Sequence, residues 1–301
     1  MTGIRPRRSV LYAPGGNARM LEKARQLDAD AVIFDLEDSV APEVKREARE
    51  LACAAMATGG FGFREVAIRL NPPASAWFLD DLVAAGAARP DAIVLSKVEG
   101  IEDILQAERL LDMHEVGPAL RLWAMIETPL GLLNVRDIAS LAATGRSRRL
   151  AGLVLGTNDI AKDTGVQPGP DRAPLVPWLL QAVLVARAFG LFVLDGVFNA
   201  FADVEGFERE CAQGRELGFD GKTLIHPSQI ACANRTFAPR AEEVEEARAI
   251  IDAFALPENR SKGAINLNGR MVERLHAGIA ARTLAMDERI RTWGSDAPAR
   301  A

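Results

Sequence analysis

Two acidic residues stand where short apolar runs end, and their type and placement suit the binding of a hard divalent cation. In RLWAMIETPLGLLN (Arg121–Asn134), five of the six residues before Glu127 and Thr128 are apolar or aromatic. Pro129, Gly131 and a helical pattern follow. This reads as a buried strand delivering a carboxylate at its C-terminal end, and a buried carboxylate needs a cationic partner to offset its desolvation. In LAGLVLGTNDIAKD, the apolar run Leu150–Leu155 ends in Gly156, Thr157, Asn158 and Asp159. Two carboxylates at the ends of successive strands can hold such a cation while leaving coordination positions open. Either acid alone reads better as a helix cap or an arginine partner; the two together favour the cation.

The elements that must position them recur along the chain. Short apolar runs at Ser9–Ala13, Ala31–Leu36, Val66–Leu70 and Ala92–Leu95 precede the two already described, and Leu191–Leu194 and Gly221–Ile225 follow. Helical patterns alternate with them; Asn17 suits an N-cap, and Pro42 suits a first helical turn. This alternation predicts an α/β protein, a (β/α)8 TIM barrel over residues 1–237. An open doubly wound sheet is the competing fold, but Gly15 and Gly16 alone are not its phosphate loop. The Pro/Gly-rich segment 164–177 predicts a long loop suited to a lid. Residues 238–301 read as a C-terminal helical arm: a helix over Ala241–Phe254, a loop over Leu256–Gly269, a second helix over Met271–Trp293, and a disordered tail, Gly294–Ala301.

A barrel gathers its strand C-termini at one mouth. Here those ends supply Glu37, Asp38, Arg69, Lys97, Glu127, Asp159, Asp195 and His226. This mixed acidic and basic set suits a metal plus an anionic substrate. Arg69 offers a planar fork for a carboxylate, or a salt bridge to Glu37 or Asp38. Lys97 reads as charge balance or a hydrogen bond to Glu37 rather than a Schiff-base amine. His226 reads as structural and Tyr12 as packing. None of the three histidines has metal-ligand spacing, so zinc is not expected.

Composition bounds the rest. The chain is 49% hydrophobic and 26% charged with net charge −5, an ordinary globular balance with no electrostatic case for nucleic acid or a membrane surface. The N-terminus lacks a signal-peptide core, and no uninterrupted apolar span could cross a bilayer. Cys53, Cys211 and Cys232 are odd in number and far apart, as in a reduced cytoplasmic protein.

These residues lie in a series of motifs: RSVLYAPGGN, FDLEDSVAP, IRLNPP, LSKV, MIETPLG, GTNDIA, LDGVF, GFDGKTLIHPSQI and GAINLNGRMVE. In this order, from about Arg8 to the final helix, the chain resembles the citrate lyase β-subunit/malyl-CoA lyase family of the HpcH/HpaI aldolase superfamily. The resemblance implies a TIM barrel, Mg2+ (with Mn2+ as a substitute) held by Glu127 and Asp159, and a CoA thioester as substrate. It implies that Arg69 holds a 2-oxo or 2-hydroxy acid carboxylate, that Glu37 and Asp38 support the metal's waters, and that Lys97 pairs with Glu37. Arg8 would lie near the CoA phosphates. A homotrimer or homohexamer is implied, its arm covering a neighbour's site. One position departs: the family's arm motif carries Asp where this chain has Glu273, one methylene longer, at the residue that handles the proton on the acyl-CoA methyl carbon.

The reaction so implied is metal-dependent cleavage or formation of the carbon–carbon bond between a 2-oxo acid (glyoxylate, pyruvate or oxaloacetate) and the enolate of an acyl-CoA. Hydrolysis of a malyl-CoA-type thioester is the rival enzymatic outcome. A citrate lyase β subunit acting on citryl-acyl carrier protein is another. A barrel that binds CoA esters without turnover is the non-enzymatic alternative.

Overall fold

The computed structural model describes residues 5–292. Eight parallel strands close a barrel in sequential order. They are β1 (Ser9–Pro14), β2 (Ala31–Asp35), β3 (Glu65–Leu70), β4 (Ala92–Leu95), β5 (Arg121–Ile126), β6 (Leu150–Leu155), β7 (Phe192–Asp195) and β8 (Gly221–Leu224). Strand β8 pairs back on β1 from Ser9↔Lys222 to Leu11↔Leu224. Successive strands are joined by α1 (Ala18–Ala24), α2 (Lys45–Thr58), α3 (Phe78–Ala88), α4 (Ile101–Met113), α5 (Pro129–Ala143), the pair α6 (Thr157–Thr164) and α7 (Val176–Phe189), and α8 (Val204–Leu217). Helix α9 (Ile230–Phe237) follows β8. The TIM barrel expected from the alternating runs is the fold observed.

Why the barrel closes is legible in its interior. Strand side chains alternate with a period of two, so one parity of each strand points inward. Ala31, Ala67 and Ala92 are small at the level where Trp123 and Phe192 are large, and the two rings meet edge to face at 5.2 Å. Gly152 completes this layer, since a Cβ there would fall 2.2 Å from the Phe192 ring. Arg7 lies over that ring with its guanidinium 4.1 Å from the centroid, held by Glu65 at 2.5 Å. This apolar plug fills the barrel below its mouth, and the same inward parity then delivers polar side chains two residues further on.

Residues 7–236 form one compact unit and residues 237–292 the bulk of another. The second unit packs α10 (Ala241–Ala255) with α11 (Arg274–Thr292) around Ala247, Ile250, Phe254, Ile265, Val272 and Ala280. Between the helices lies an antiparallel hairpin, β9 (Ala264–Leu267) and β10 (Arg270–Glu273). The arm is therefore not wholly helical, and Met271–Glu273 are strand rather than helix. Asn268 and Gly269 make the two-residue turn with φ of 52° and 82°, the left-handed pair that a tight hairpin requires. Trp293 and the tail Gly294–Ala301 lie outside the described residues. Among the described residues, no helix is long and apolar enough to cross a membrane.

Candidate active site

The inward column of side chains ends in a cavity of about 360 Å³ at the C-terminal mouth of the strands. Tyr12 of β1, Arg69 of β3 and Met125 of β5 line it, with Glu127 immediately beyond β5. Asp38 and Asp159 line it as well. The structure thus brings together Arg69, Asp38, Glu127 and Asp159, with Glu37 and Lys97 bonded to that set.

Arg69 is fixed by a partner absent from the expected site residues. Asp35, the last residue of β2, accepts from Arg69 Nε at 2.6 Å and Nη2 at 2.7 Å. Its own oxygens also accept from the Glu37 and Ser39 backbone N–H groups. Burial would raise the Asp35 pKa, but the charge and hydrogen bonds of Arg69 outweigh it and hold the carboxyl below its ordinary range. This bidentate pair orients the guanidinium and leaves Nη1 facing the cavity. Nη1 lies 2.8 Å from Glu37 Oε2 and 3.6 Å from Asp38 Oδ2. Both partners expected for Arg69 are therefore in reach, yet neither is its principal one.

Glu37 is 4% exposed and hydrogen-bonded to Lys97 Nζ through Oε1, while its buried Oε2 has no hydrogen bond. Burial raises the Glu37 pKa against the lowering effects of Arg69 and Lys97. Burial acts the other way on Lys97, but its bond to Glu37 prevails, and the amine is held above its ordinary pKa. That is a protonated lysine, as the charge-balance reading requires, and not a free Schiff-base amine. Lys97 has φ 49°, a left-handed conformation that costs an L-residue roughly 1–2 kcal/mol. Its backbone N–H donates to Glu127 Oε1 at 2.8 Å.

Glu127 is 1% exposed. Burial, with the charge of Glu37, pushes its pKa up to about 7 despite Arg69 and Lys97. The carboxylate is therefore short of positive charge. Its side chain lies against Gly156, where a Cβ would fall 2.4 Å from Oε2. Asp159 sits in the first turn of α6, partly exposed, and among the described residues its ion partner is Lys162 at 3.8 Å. Among the described residues no group of three or more His, Cys, Asp or Glu could hold a metal. Glu127 and Asp159 thus offer at most two carboxylates, one buried and undercompensated, a pairing compatible with Mg2+, which keeps several waters and takes only one or two protein carboxylates.

Other expected residues are placed elsewhere. Arg8 precedes β1 at the opposite, N-terminal rim, its guanidinium bidentate to the buried Asp30 at 2.8 Å. The structure does not bring it to the mouth. Asp195 is fully buried, bonded to Arg172 at 2.8 Å and Lys222 at 2.9 Å, and does not line the cavity. Arg172 also reaches Gln213 and Glu210, so the 165–175 connection is pinned at its middle rather than free as a lid. His226 caps the short helix after β8, bonded to Ser228 and stacked on Phe201 at 4.6 Å, as a structural residue would be. Tyr12, read as packing, instead lines the cavity under Arg69, its ring 4.7 Å from the guanidinium. Burial keeps its phenol pKa well above the ordinary value. Glu273 ends β10 of the second unit, where its backbone N–H donates to His276 Nδ1 at 3.0 Å.

Known proteins resemble this chain in sequence and fold. The HpcH/HpaI aldolase/citrate lyase family model matches residues 8–227. A (3S)-malyl-CoA thioesterase of Cereibacter sphaeroides is 45% identical over 288 residues, 96% of this chain and 97% of that protein. The citrate lyase subunit beta of Haemophilus influenzae is 34% identical, covering 89% and 92%. The structure of CitE from Mycobacterium tuberculosis in complex with magnesium, acetoacetate and coenzyme A matches with a TM-score of 0.73 and 26% identity over 93% of this chain and 97% of that one. On sequence and barrel fold, the chain belongs to the HpcH/HpaI aldolase/citrate lyase family.

Proposed function

We propose that the chain acts on the CoA thioester of a short 2-hydroxy acid, of malyl-CoA type, with Mg2+ held by Glu127 and Asp159. The observation that carries this reading is the undercompensated Glu127 beside a guanidinium whose Nη1 faces the same cavity. A mouth with those two charges fits the carboxylate end of an oxo or hydroxy acid better than an apolar ligand. Hydrolysis of the thioester is the first reading, supported by the (3S)-malyl-CoA thioesterase that matches nearly end to end. Cleavage of the carbon–carbon bond is the second, supported by the citrate lyase subunit beta relative.

Arg69 anchors the substrate carboxylate. Glu37, bonded to Lys97, holds the proton network beside the carbinol oxygen, and Asp38 orders water at the cavity edge. Bound Mg2+ would supply Lewis-acid stabilisation of charge at that oxygen. For cleavage, the carbinol O–H gives up its proton to the Glu37–Lys97 network as its oxygen becomes the carbonyl of the leaving oxo acid, and the bond between the carbinol carbon and the carbon next to the thioester breaks. Its electron pair enters the thioester as an enolate, and a proton returns to the methyl carbon. For hydrolysis, water adds to the thioester carbonyl and CoA leaves as the protonated thiol. Glu273 handles the proton at the acyl end, carried by the arm of residues 238–301 into a neighbouring copy of a homotrimer or homohexamer. Exposed Met271, Leu275 and Ile279 on that unit support an arm that meets another copy.

The test is to incubate the purified protein with Mg2+ and racemic malyl-CoA or citramalyl-CoA, following free thiol and oxo acid separately. Free thiol without oxo acid establishes the thioesterase; oxo acid without free thiol establishes the lyase. Turnover that survives EDTA or Glu127→Ala would refute the metal assignment, and no turnover of either substrate would refute the substrate class.

A further inference from the structure

Inside the cavity two donors converge on one poor acceptor, Arg69 Nη1 doing so beside its ion pair with Glu37 at 2.8 Å. Tyr12 Oη lies 3.7 Å from Met125 Sδ, and Arg69 Nη1 lies 3.8 Å from the same sulfur. A thioether is a weak acceptor, and a phenol in such a place ordinarily finds a full partner. Nor is the position of either donor accidental. Asp35 fixes the guanidinium through its other two nitrogens, and the Tyr12 ring lies against its face. Tyr12, Arg69 and Met125 are inward residues of β1, β3 and β5, and all line the cavity with Glu127.

We infer that Tyr12 is a substrate-contacting residue, its hydroxyl and Arg69 Nη1 forming a two-donor clamp for the carboxylate of the bound 2-oxo or 2-hydroxy acid. This rests on the function proposed above. A carboxylate oxygen beside the Met125 sulfur accepts from the O–H and the charged N–H at once, having lone pairs for both. The sulfur is an apolar wall that gives way to a better acceptor. The phenol moves no proton: its role is to hold the acid end, and with it the register of the carbinol carbon against Glu127. Tyr12 is the only tyrosine of the chain, so no other phenol can replace it.

The test is calorimetric titration of pyruvate and of glyoxylate into the Mg2+-loaded full-length protein, wild type against Tyr12→Phe. Phenylalanine keeps the ring beneath Arg69 and removes only the hydroxyl. One hydrogen bond to a charged group corresponds to roughly a 10- to 100-fold loss of affinity. The assignment predicts that loss for the acid the wild type binds, with Mg2+ affinity and thermal melting unchanged. Wild type and Tyr12→Phe binding the acid equally would overturn the clamp and leave the proposed function standing. Failure of the wild type itself to bind either acid with Mg2+ present would overturn the functional reading, and the clamp with it.

Discussion

Glu127→Gln should make the metal-free protein more stable while abolishing its Mg2+ response. The carboxyl is 1% exposed and its pKa is raised from 4.5 to about 7. Below about pH 4.5 the group is protonated in both folded and unfolded chains and costs nothing. As pH rises through 7, the folded protein must ionise a carboxylate that the unfolded chain ionises more easily, and stability is lost. At pH 8 the full penalty is about 3 kcal/mol. Glutamine is neutral, nearly isosteric, and still accepts from the Lys97 N–H through its carbonyl oxygen. The variant should therefore melt roughly 5 °C above wild type at pH 8 in EDTA, given the unfolding entropy of a chain this size. The gap should close towards pH 4.5. Mg2+ should raise the wild-type melting temperature and leave the variant unmoved. Denaturation at several pH values with EDTA or Mg2+ measures all three. A variant no more stable than wild type at pH 8 without metal would refute the claim that Glu127 is an ionised ligand waiting for a cation.

Further outcomes follow from other groups. Asp195→Asn should cost about 3–5 kcal/mol at neutral pH, because it leaves Lys222 and Arg172 buried with one carboxylate fewer. Burial raises Asp195, but Lys222 and Arg172 outweigh it and hold its pKa below the ordinary value. Its contribution is thus complete above about pH 4 and lost as pH falls through the folded pKa, so urea melts of variant and wild type should converge in acid. Arg69→Lys loses the two-point pair with Asp35 and should lower kcat/KM about 100-fold, read in the same thiol and oxo acid assays. Glu273→Asp should lower kcat by up to about 100-fold through a displaced proton donor, with pyruvate affinity unchanged. An unchanged kcat would remove Glu273 from the mechanism.

The strands and their ends were legible in the sequence because each run is apolar, short, closed by a polar residue and followed by a helical pattern, a repeat that favours buried parallel strands. Ala92–Leu95 and Leu150–Leu155 are observed with the expected bounds. What those runs hide is parity. Asp35 sits inside the second run, where it looks like one polar interruption, yet it shares the inward parity of Ala31 and Ile33 and holds Arg69. Tyr12 shares the parity of Val10 and so emerges at the mouth, not among the packed side chains of the outer layer. Counting back by twos from Glu127 through Met125 to Trp123 finds this inward column and would have found both residues. Asp195 shows the limit of reading strand ends as mouth residues: its partner Lys222 pairs with it across β7 and β8, and the carboxylate stays with Lys222, Arg172 and Glu210. The hairpin of the second unit had an unused signal, Asn268-Gly269 between short strands, masked by the amphipathic stretch that follows. The constellation is thus set less by which polar residues end a strand than by which of them fall on the inward register, and that register is fixed by the Trp123–Phe192 layer beneath. A substitution that rotated this layer would move Tyr12, Arg69, Met125 and Glu127 together, since all four stand on the same inward parity of their strands.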